Sequence, residues 1–236
     1  ITTSNTIRVS EVIIDAGIDI QICEGESVEL NGVGNATLFS WSPSNTLSSS
    51  NIYNPVASPI IDGFYYVYHS NGICDAIDSV FIEVNNDIPI ADFVASNFCD
   101  GDTTYFLANS GLATGNFSYL WSFGSNSQIA STLLGVGSNN ITLIIENLDN
   151  SCKDTLEEIV TIFSKPSADF VVADACLGDS LEFFDNSSSS VIEWFYNFGD
   201  TVGSSFDQNP IYTYVESGIY NVTLNVASDM GCEETI

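Results

Sequence analysis

Positive charge is what this chain most lacks: three Lys and Arg together stand against 31 Asp and Glu in 236 residues, for a formal charge of −28. A surface so acidic repels phosphate backbones and anionic lipid, which excludes nucleic acid and membrane surfaces as partners of this segment. Imidazole is nearly absent too. The single histidine, His69, sits among strand tyrosines and beside no nucleophile motif, so a Ser-His-Asp arrangement has nothing to build on; it reads as a half-exposed strand residue. There is no Cys-x-x-Cys, and with one His this leaves zinc without a ligand set. No apolar run approaches the roughly 18 to 20 residues that cross a bilayer. Helical periodicity is missing throughout. The first residues carry neither an initiator Met nor a signal-peptide pattern, so the segment reads as an excerpt from a longer precursor.

What is present argues against disorder. Aromatic residues make up 12% and the hydrophobic set 44%, more than a solvated acidic tail carries. The carboxylates are scattered singly among apolar residues, as on the outer faces of strands.

An internal repeat organises the chain. The string Cys-x-Gly-acid-Ser/Thr begins at Cys23, Cys99 and Cys176, spaced 76 and 77 residues apart. Each copy leads into alternating apolar residues: Val28 and Leu30, Tyr105 and Leu107, Leu181 and Phe183. That period of two marks a half-buried strand. An aromatic strand follows, carrying Trp41, Trp121 or Tyr196, and a second cysteine then falls in a turn-like context at Cys74, Cys152 and Cys232. One pair of cysteines per repeat reads as a disulfide framework, Cys23–Cys74, Cys99–Cys152 and Cys176–Cys232, each stabilising its domain by about 4 kcal/mol in the chain-entropy model. Disulfides place the segment in an oxidising, extracytoplasmic compartment.

The fold class that follows is all-β: a tandem array of three immunoglobulin-like antiparallel β-sandwiches, one disulfide each. The expected boundaries are 14–85, 86–164 and 165–236, with the last strand of the third repeat incomplete. Residues 1–13 repeat the pattern of a closing strand, Thr6-Ile7-Arg8-Val9-Ser10-Glu11-Val12 matching Ser79-Val80-Phe81-Ile82-Glu83-Val84. They read as the end of a preceding domain or as a strand donated to a neighbouring subunit. The runs 64–68 and 220–226 are the expected long central strands. In the second, Tyr220, Val222, Leu224 and Val226 should face inward, whereas the first has aromatics on both faces and no decided register.

At this point the residues resemble a family. Tyr196-Asn197-Phe198-Gly199-Asp200, with Asn209-Pro210, Gly218 and Tyr220-Asn221-Val222-Thr223-Leu224, resembles a PKD domain with a variant turn after Asp200. Trp121-Ser122-Phe123-Gly124 is a diverged copy with Ser125 in place of the Asp. Repeat one, with Asp15-Ala16-Gly17, Trp41-Ser42-Pro43, Asn54-Pro55 and Asn71-Gly72-Ile73-Cys74, is similar to the immunoglobulin-like repeats of gliding-motility-associated, type IX-secreted bacterial surface adhesins. The resemblance implies a long secreted protein at the surface of a Gram-negative bacterium, in which such sandwiches set length and stiffness between a tip and an anchor. Its partners would be neighbouring repeats of the same chain or fibre, and surface polysaccharide or other cells. Alternatives are a carbohydrate- or protein-binding module and the accessory PKD region of a secreted hydrolase. The chain itself is read as no enzyme. Any carboxylate pair for glycoside hydrolysis would recur with the repeat, and active sites rarely come in triplicate.

Several residues are candidates for more than packing. Trp194, Tyr65, Tyr66 and Tyr68 break the repeat pattern and could form an exposed sugar-stacking face, while Trp41, Trp121 and Tyr196 recur at a core position. Calcium is the one cofactor with candidate ligands: Asp15, Asp19, Asp100 and Asp102 place hard oxygens near the expected junctions, though without an EF-hand loop. Asp followed by Ser or Thr and then Thr or an apolar residue resembles the O-glycosylation sequon of exported proteins in the same bacterial group, and its acceptors here would be Ser79, Thr103, Thr155, Ser180 and Thr201. The linkers near Pro89 and Pro166 are short and stiffened by proline.

Overall fold

The computed structural model describes residues 6, 7 and 9–236, and every element among them is a strand or a turn. Strand pairing stays within three successive stretches of chain, which hold three, two and three hydrogen-bonded sheets among the described residues. Short alternating runs of Val, Ile, Phe and Tyr separated by Gly, Asn, Ser and Pro cannot sustain helices, and they bury one face by stacking sheet on sheet.

In the first stretch a four-stranded sheet runs in the order Ile20–Cys23, Asp75–Asn85, Gly63–Ser70, Leu38–Ser42. Ile20–Cys23 lies parallel to the end of Asp75–Asn85, with Cys23 opposite Asn85, and the other neighbours are antiparallel. Two short ladders, Ile14–Asp15 with Val33–Gly34 and Val28–Glu29 with Val56–Ala57, complete the sandwich. Trp41, Leu30, Tyr65, Val67, Val80 and Ile82 form the buried core, each large side chain contributing roughly 1.5 to 3 kcal/mol by leaving water. The undecided register of 64–68 resolves cleanly: Tyr65, Val67 and His69 point inward, and Phe64, Tyr66 and Tyr68 outward.

The second stretch has one sheet of Ile129–Leu133, Thr103–Asn109 and Asp92–Ser96, and another of Phe117–Trp121, Gly137–Asn147 and Lys153–Ile162. Phe93, Phe106, Trp121 and Phe123 form an aromatic cluster with ring centroids 5.2 to 5.7 Å apart.

In the third, Ser204–Ser205, Val191–Asn197, Thr223–Ser228 and Glu233–Thr235 form a four-stranded sheet over a core of Phe183, Tyr196, Phe198, Leu224 and Val226. Leu224 and Val226 face inward as expected, but the strand begins at Thr223 instead of 220. Glu233–Thr235 pairs with 225–227, and Ile236 exchanges both backbone hydrogen bonds with Leu224. Tyr220 is half-buried and stacks on Tyr214, and Val222 packs against the core from its edge.

By compactness the chain divides into two units, 1–92 with 109–120 and 144–156, and 93–108 with 121–143 and 157–236. The closing strand expected over residues 1–13 falls partly on 1–5 and Arg8, outside the described residues; the described residues before Ile14 form no strand.

Candidate functional site: cysteines at the strand ends

The Cys-x-Gly-acid motif builds the same small loop in every repeat. Its glycine takes a left-handed conformation that side chains resist, with φ of 87° at Gly25, 77° at Gly101 and 88° at Gly178. The turn lets the backbone N–H of the acidic residue donate to the cysteine carbonyl, Glu26 to Cys23 at 3.0 Å, Asp102 to Cys99 at 3.1 Å and Asp179 to Cys176 at 3.0 Å. In the first and third repeats the carboxylate also accepts the cysteine N–H, at 3.0 Å for Glu26 and 3.2 Å for Asp179. In the second, Asp102 instead accepts from Lys165 at 2.8 Å. The residue after each of the first two cysteines extends the parallel pairing, Glu24 N–H donating to Asn85 O and Asp100 N–H to Phe163 O, both at 2.8 Å. The first cysteine therefore sits where the closing strand leaves its repeat.

The second cysteine sits at the other end of that strand, in the hairpin turn before it. Side chains of the turn hold its N–H: Asn71 accepts from Cys74 at 2.9 Å, Asn150 from Cys152 at 2.9 Å, and the Ser228 hydroxyl from Cys232 at 3.2 Å.

This geometry overturns the expected pairing. Cys23–Cys74, Cys99–Cys152 and Cys176–Cys232 do not form. The disulfides are Cys23–Cys152 and Cys99–Cys232, with Cα atoms 5.7 and 5.5 Å apart, and Cys74 and Cys176 are free. The physical reason is strand length. Cys74 precedes the 11-residue strand Asp75–Asn85 and Cys23 lies opposite its last residue, so at ~3.3 Å per residue they are held about 35 Å apart, whereas a disulfide needs Cα atoms within about 7 Å. Each bond instead joins the first cysteine of one repeat to the second cysteine of the next. Because the first and last strands of the repeat run parallel, its two cysteines lie at opposite ends of the sandwich.

Polar contacts fasten the same places. The Asp87 carbonyl accepts from the amides of Asn147 and Asn150, at 3.3 and 3.0 Å. Its carboxylate accepts from the backbone and hydroxyl of Thr114, at 3.0 and 2.6 Å, and these bonds hold it below the usual carboxylate range. Neither Asp87 nor Lys165 was marked by any sequence motif.

The calcium candidates do not converge. Asp15 accepts from Gly17 N–H, Asp19 from Phe81 N–H, and Asp102 pairs with Lys165, while Asp100 is exposed. Among the described residues no group of three or more His, Cys, Asp or Glu is arranged to hold a metal. Of the glycan acceptors, Thr155, Ser180 and Thr201 are exposed and Ser79 and Thr103 half-buried. The aspartates before Ser79 and Thr155 have backbone work, accepting from Ala16 N–H and Ala91 N–H at 2.8 and 2.9 Å. His69 is fully buried, not half-exposed, because its position in the alternation faces the core; its ring lies edge-on to Phe39 and Tyr53, and neither nitrogen has a protein hydrogen-bond partner. Trp41, Trp121 and Tyr196 are fully buried, as their recurrence implied. Tyr65 is buried and Trp194 half-buried, leaving Tyr66 and Tyr68 on the outer face with Phe64.

The turn that carries the PKD-like motif is closed by its own residues. Asp200 accepts from Val202 N–H and Gly203 N–H, and the Tyr212 hydroxyl donates to its other oxygen. Phe198 stacks on Tyr212 at 4.0 Å, and the Tyr214 hydroxyl donates to Phe198 O at 2.8 Å.

Residues 164–236 match the PKD domain family. The third repeat is of PKD type. Among solved structures, the N-terminal eight immunoglobulin domains of Down Syndrome Cell Adhesion Molecule are similar at a TM-score of 0.54 and 11% identity, over 95% of this chain and 36% of that one. The present chain thus spans about a third of that structure, and the likeness establishes the tandem immunoglobulin-like fold. An I-band fragment of titin is similar at a TM-score of 0.41 and 12% identity, covering 97% of both chains. A SusE-like surface-located polysaccharide-binding protein of Bacteroides thetaiotaomicron gives 0.35 and 9%, over 79% of this chain and 43% of that one. No curated protein sequence matches the chain. PKD and immunoglobulin-like repeats are modules typical of adhesion and extracellular proteins and are typically non-catalytic. No helix among the described residues is long and apolar enough to cross a membrane.

Proposed function

We propose that this chain is a structural stalk segment of a long secreted bacterial cell-surface adhesin or filament, in which the repeats set length and covalent staples hold each repeat to the next. The observation that carries this reading is the staggered pairing Cys23–Cys152 and Cys99–Cys232. A disulfide inside a repeat resists unfolding of that repeat alone. A disulfide between repeats also restricts how far one can swing or pull away from the next, which is the property a load-bearing stalk needs. Disulfides of this kind persist outside the cytoplasm, consistent with the extracellular setting typical of such modules. Association with other cells follows from a tip the stalk would present. Calcium is not required by this reading, and O-glycan at Thr155, Ser180 or Thr201 would lie on exposed surface.

Electron microscopy of the native protein on and off the cell surface tests the proposal. Long, thin, beaded filaments are the expected result. Short monomeric particles would overturn it.

One observation favours a second reading, a carbohydrate- or protein-binding module. Phe64, Tyr66 and Tyr68 form an outward row, 51%, 44% and 40% exposed, and Phe64 packs on Phe81 across the strands at 4.9 Å. The outward positions of the matching strands carry Asn140, Thr142 and Ile144 in the second repeat and Thr223 and Asn225 in the third. A row of three aromatic faces along one strand suits stacking on pyranose rings. Short particles in the micrographs would shift the reading to this face, or to the accessory region of a secreted hydrolase.

A further inference from the structure

The two cysteines left free are of opposite kinds. Cys176 is the first cysteine of its repeat, at the end where Cys23 and Cys99 are bonded, and Cys74 is the second cysteine of its repeat, in the hairpin position where Cys152 and Cys232 are bonded. We infer that Cys74 and Cys176 are open half-links of one staggered disulfide ladder: Cys176 bonds the hairpin cysteine of an adjoining repeat, and Cys74 bonds the Cys-x-Gly-acid cysteine of another. The inference rests on the stalk reading for its partner, a repeat of the same type. That repeat belongs either to a flanking stretch of the same chain or to a second copy.

Three observations beyond the free thiols point this way. First, the loops that present the bonded cysteines are already built around the free ones. Gly178 has the left-handed φ, Asp179 exchanges with Cys176 the reciprocal hydrogen bonds that Glu26 exchanges with Cys23, and Asn71 grips Cys74 N–H as Asn150 grips Cys152. Second, Cys74 Sγ lies 3.4 Å from the carbonyl of Ser10, in the chain entering its repeat, and Cys232 Sγ lies 4.0 Å from the carbonyl of Phe163, in the chain entering the third. Both hairpin sulfurs thus lie against the main chain that enters their repeat. Third, Cys176 is exposed beside an open groove of 450 Å³ lined by Val172, Leu181, Phe183, Tyr214, Tyr220 and Val222. In the first repeat the corresponding first strand, Ile20–Cys23, is paired with the end of the closing strand, 82–85. An adjoining repeat seated in this groove would bring its hairpin beside Cys176.

The bond forms by thiol–disulfide exchange with a disulfide-bearing oxidant, a small molecule or an extracytoplasmic thiol oxidase. The Cys176 thiolate attacks one sulfur of that disulfide, expels one thiolate and leaves a mixed disulfide. The partner cysteine's thiolate then attacks the Cys176 sulfur and expels the second thiolate. Two protein thiols are oxidised, the oxidant is reduced to two thiols, and the two protons released pass to them.

Non-reducing peptide mapping of the native protein, alkylated before digestion, tests the ladder. The expected result is a Cys176 peptide joined to a hairpin-cysteine peptide and a Cys74 peptide joined to a Cys-x-Gly-acid peptide. If the link lies within one chain, the native protein keeps its mass on non-reducing gels. If it joins copies, a series of multiples appears that dithiothreitol collapses. Because this chain carries one free cysteine of each kind, its own oxidation by glutathione disulfide supplies a second readout. A mixture of C74S and C176S should form the Cys176–Cys74 heterodimer in at least tenfold excess over either homodimer. Alkylated, unbonded Cys74 and Cys176 in native material, or homodimers at the statistical share, would overturn the inference. Neither result depends on whether filaments are seen, so failure of the ladder and failure of the stalk reading are separate outcomes.

Discussion

Asp200 and Tyr212 show how single side chains close a turn in the third repeat and make its stability depend on pH. The Tyr212 hydroxyl, and then the N–H of Gly203, hold the Asp200 carboxyl below its ordinary range. A carboxyl depressed in the folded state adds stability above its unfolded value of about 3.9, and that stability is lost as pH falls through the lower folded value. Tyr212 is the opposite case: donating to Asp200 pushes its hydroxyl up to about 12. Its contribution is whole below about pH 10 and is lost between pH 10 and that value. In thermal melts the gap between the native sequence and Asp200→Asn should be constant from about pH 5 to about pH 10 and shrink as pH falls below about 4. Because the two groups share one hydrogen bond, the gap to Tyr212→Phe should shrink in the same acid range as well as in alkali. Both substitutions keep the ring or amide volume, so a gap that ignores pH would mean packing and not the hydrogen bond is responsible. His69 illustrates a different rule of the residue scale: alternation along Gly63–Ser70, not polarity, decided that it is buried.

At the scale of elements, the closing strand and the first strand decide where covalent bonds can go. Eleven residues of strand separate the two cysteines of repeat one, and no loop movement short of unfolding would bring them together. The loop closed by Cys23–Cys152 spans 129 residues, which in the chain-entropy model is worth about 5 kcal/mol. Replacing both Cys23 and Cys152 by Ser should therefore lower the unfolding free energy of the 14–156 region, read from denaturant titration, by an amount of that order, while Cys74→Ser in the isolated chain should change it little. Equal losses from both would contradict the pairing. The same elements show how much was legible beforehand. Strand alternation, the three motif copies and the core positions of Trp41, Trp121 and Tyr196 could be read directly, because each is a local pattern. The partner of Cys23 could not, because it depends on which end of a strand pair faces which neighbour.

For the whole molecule, the overlapping bonds change what pulling can do. Stretched from end to end with both disulfides intact, the shortest covalent path is about 290 Å, whereas the reduced chain could reach about 800 Å. Single-molecule force spectroscopy should record total extensions near these two limits, the longer one appearing only after reductant is added. An oxidised chain that extends to the longer limit would show that the staples do not form. Formal charge of −28 over the same length works against side-by-side packing at low salt, which suits repeats joined in series through specific bonds.

The sequence by itself determined the repeat length, the all-β class, the buried aromatic of each sandwich, the PKD-like character of the third repeat and the absence of a basic or imidazole-rich site. All of these follow from composition and from periods of two and of about 77 residues, which neighbours along the chain impose. Tertiary structure alone decided the register of 64–68, the burial of His69 and the pairing of six cysteines into two bonds and two free thiols. The first two depend on which strands pair with Gly63–Ser70; the disulfides join residues 129 and 133 positions apart, and a disulfide is set by the few ångströms between two Cα atoms, not by spacing in the sequence.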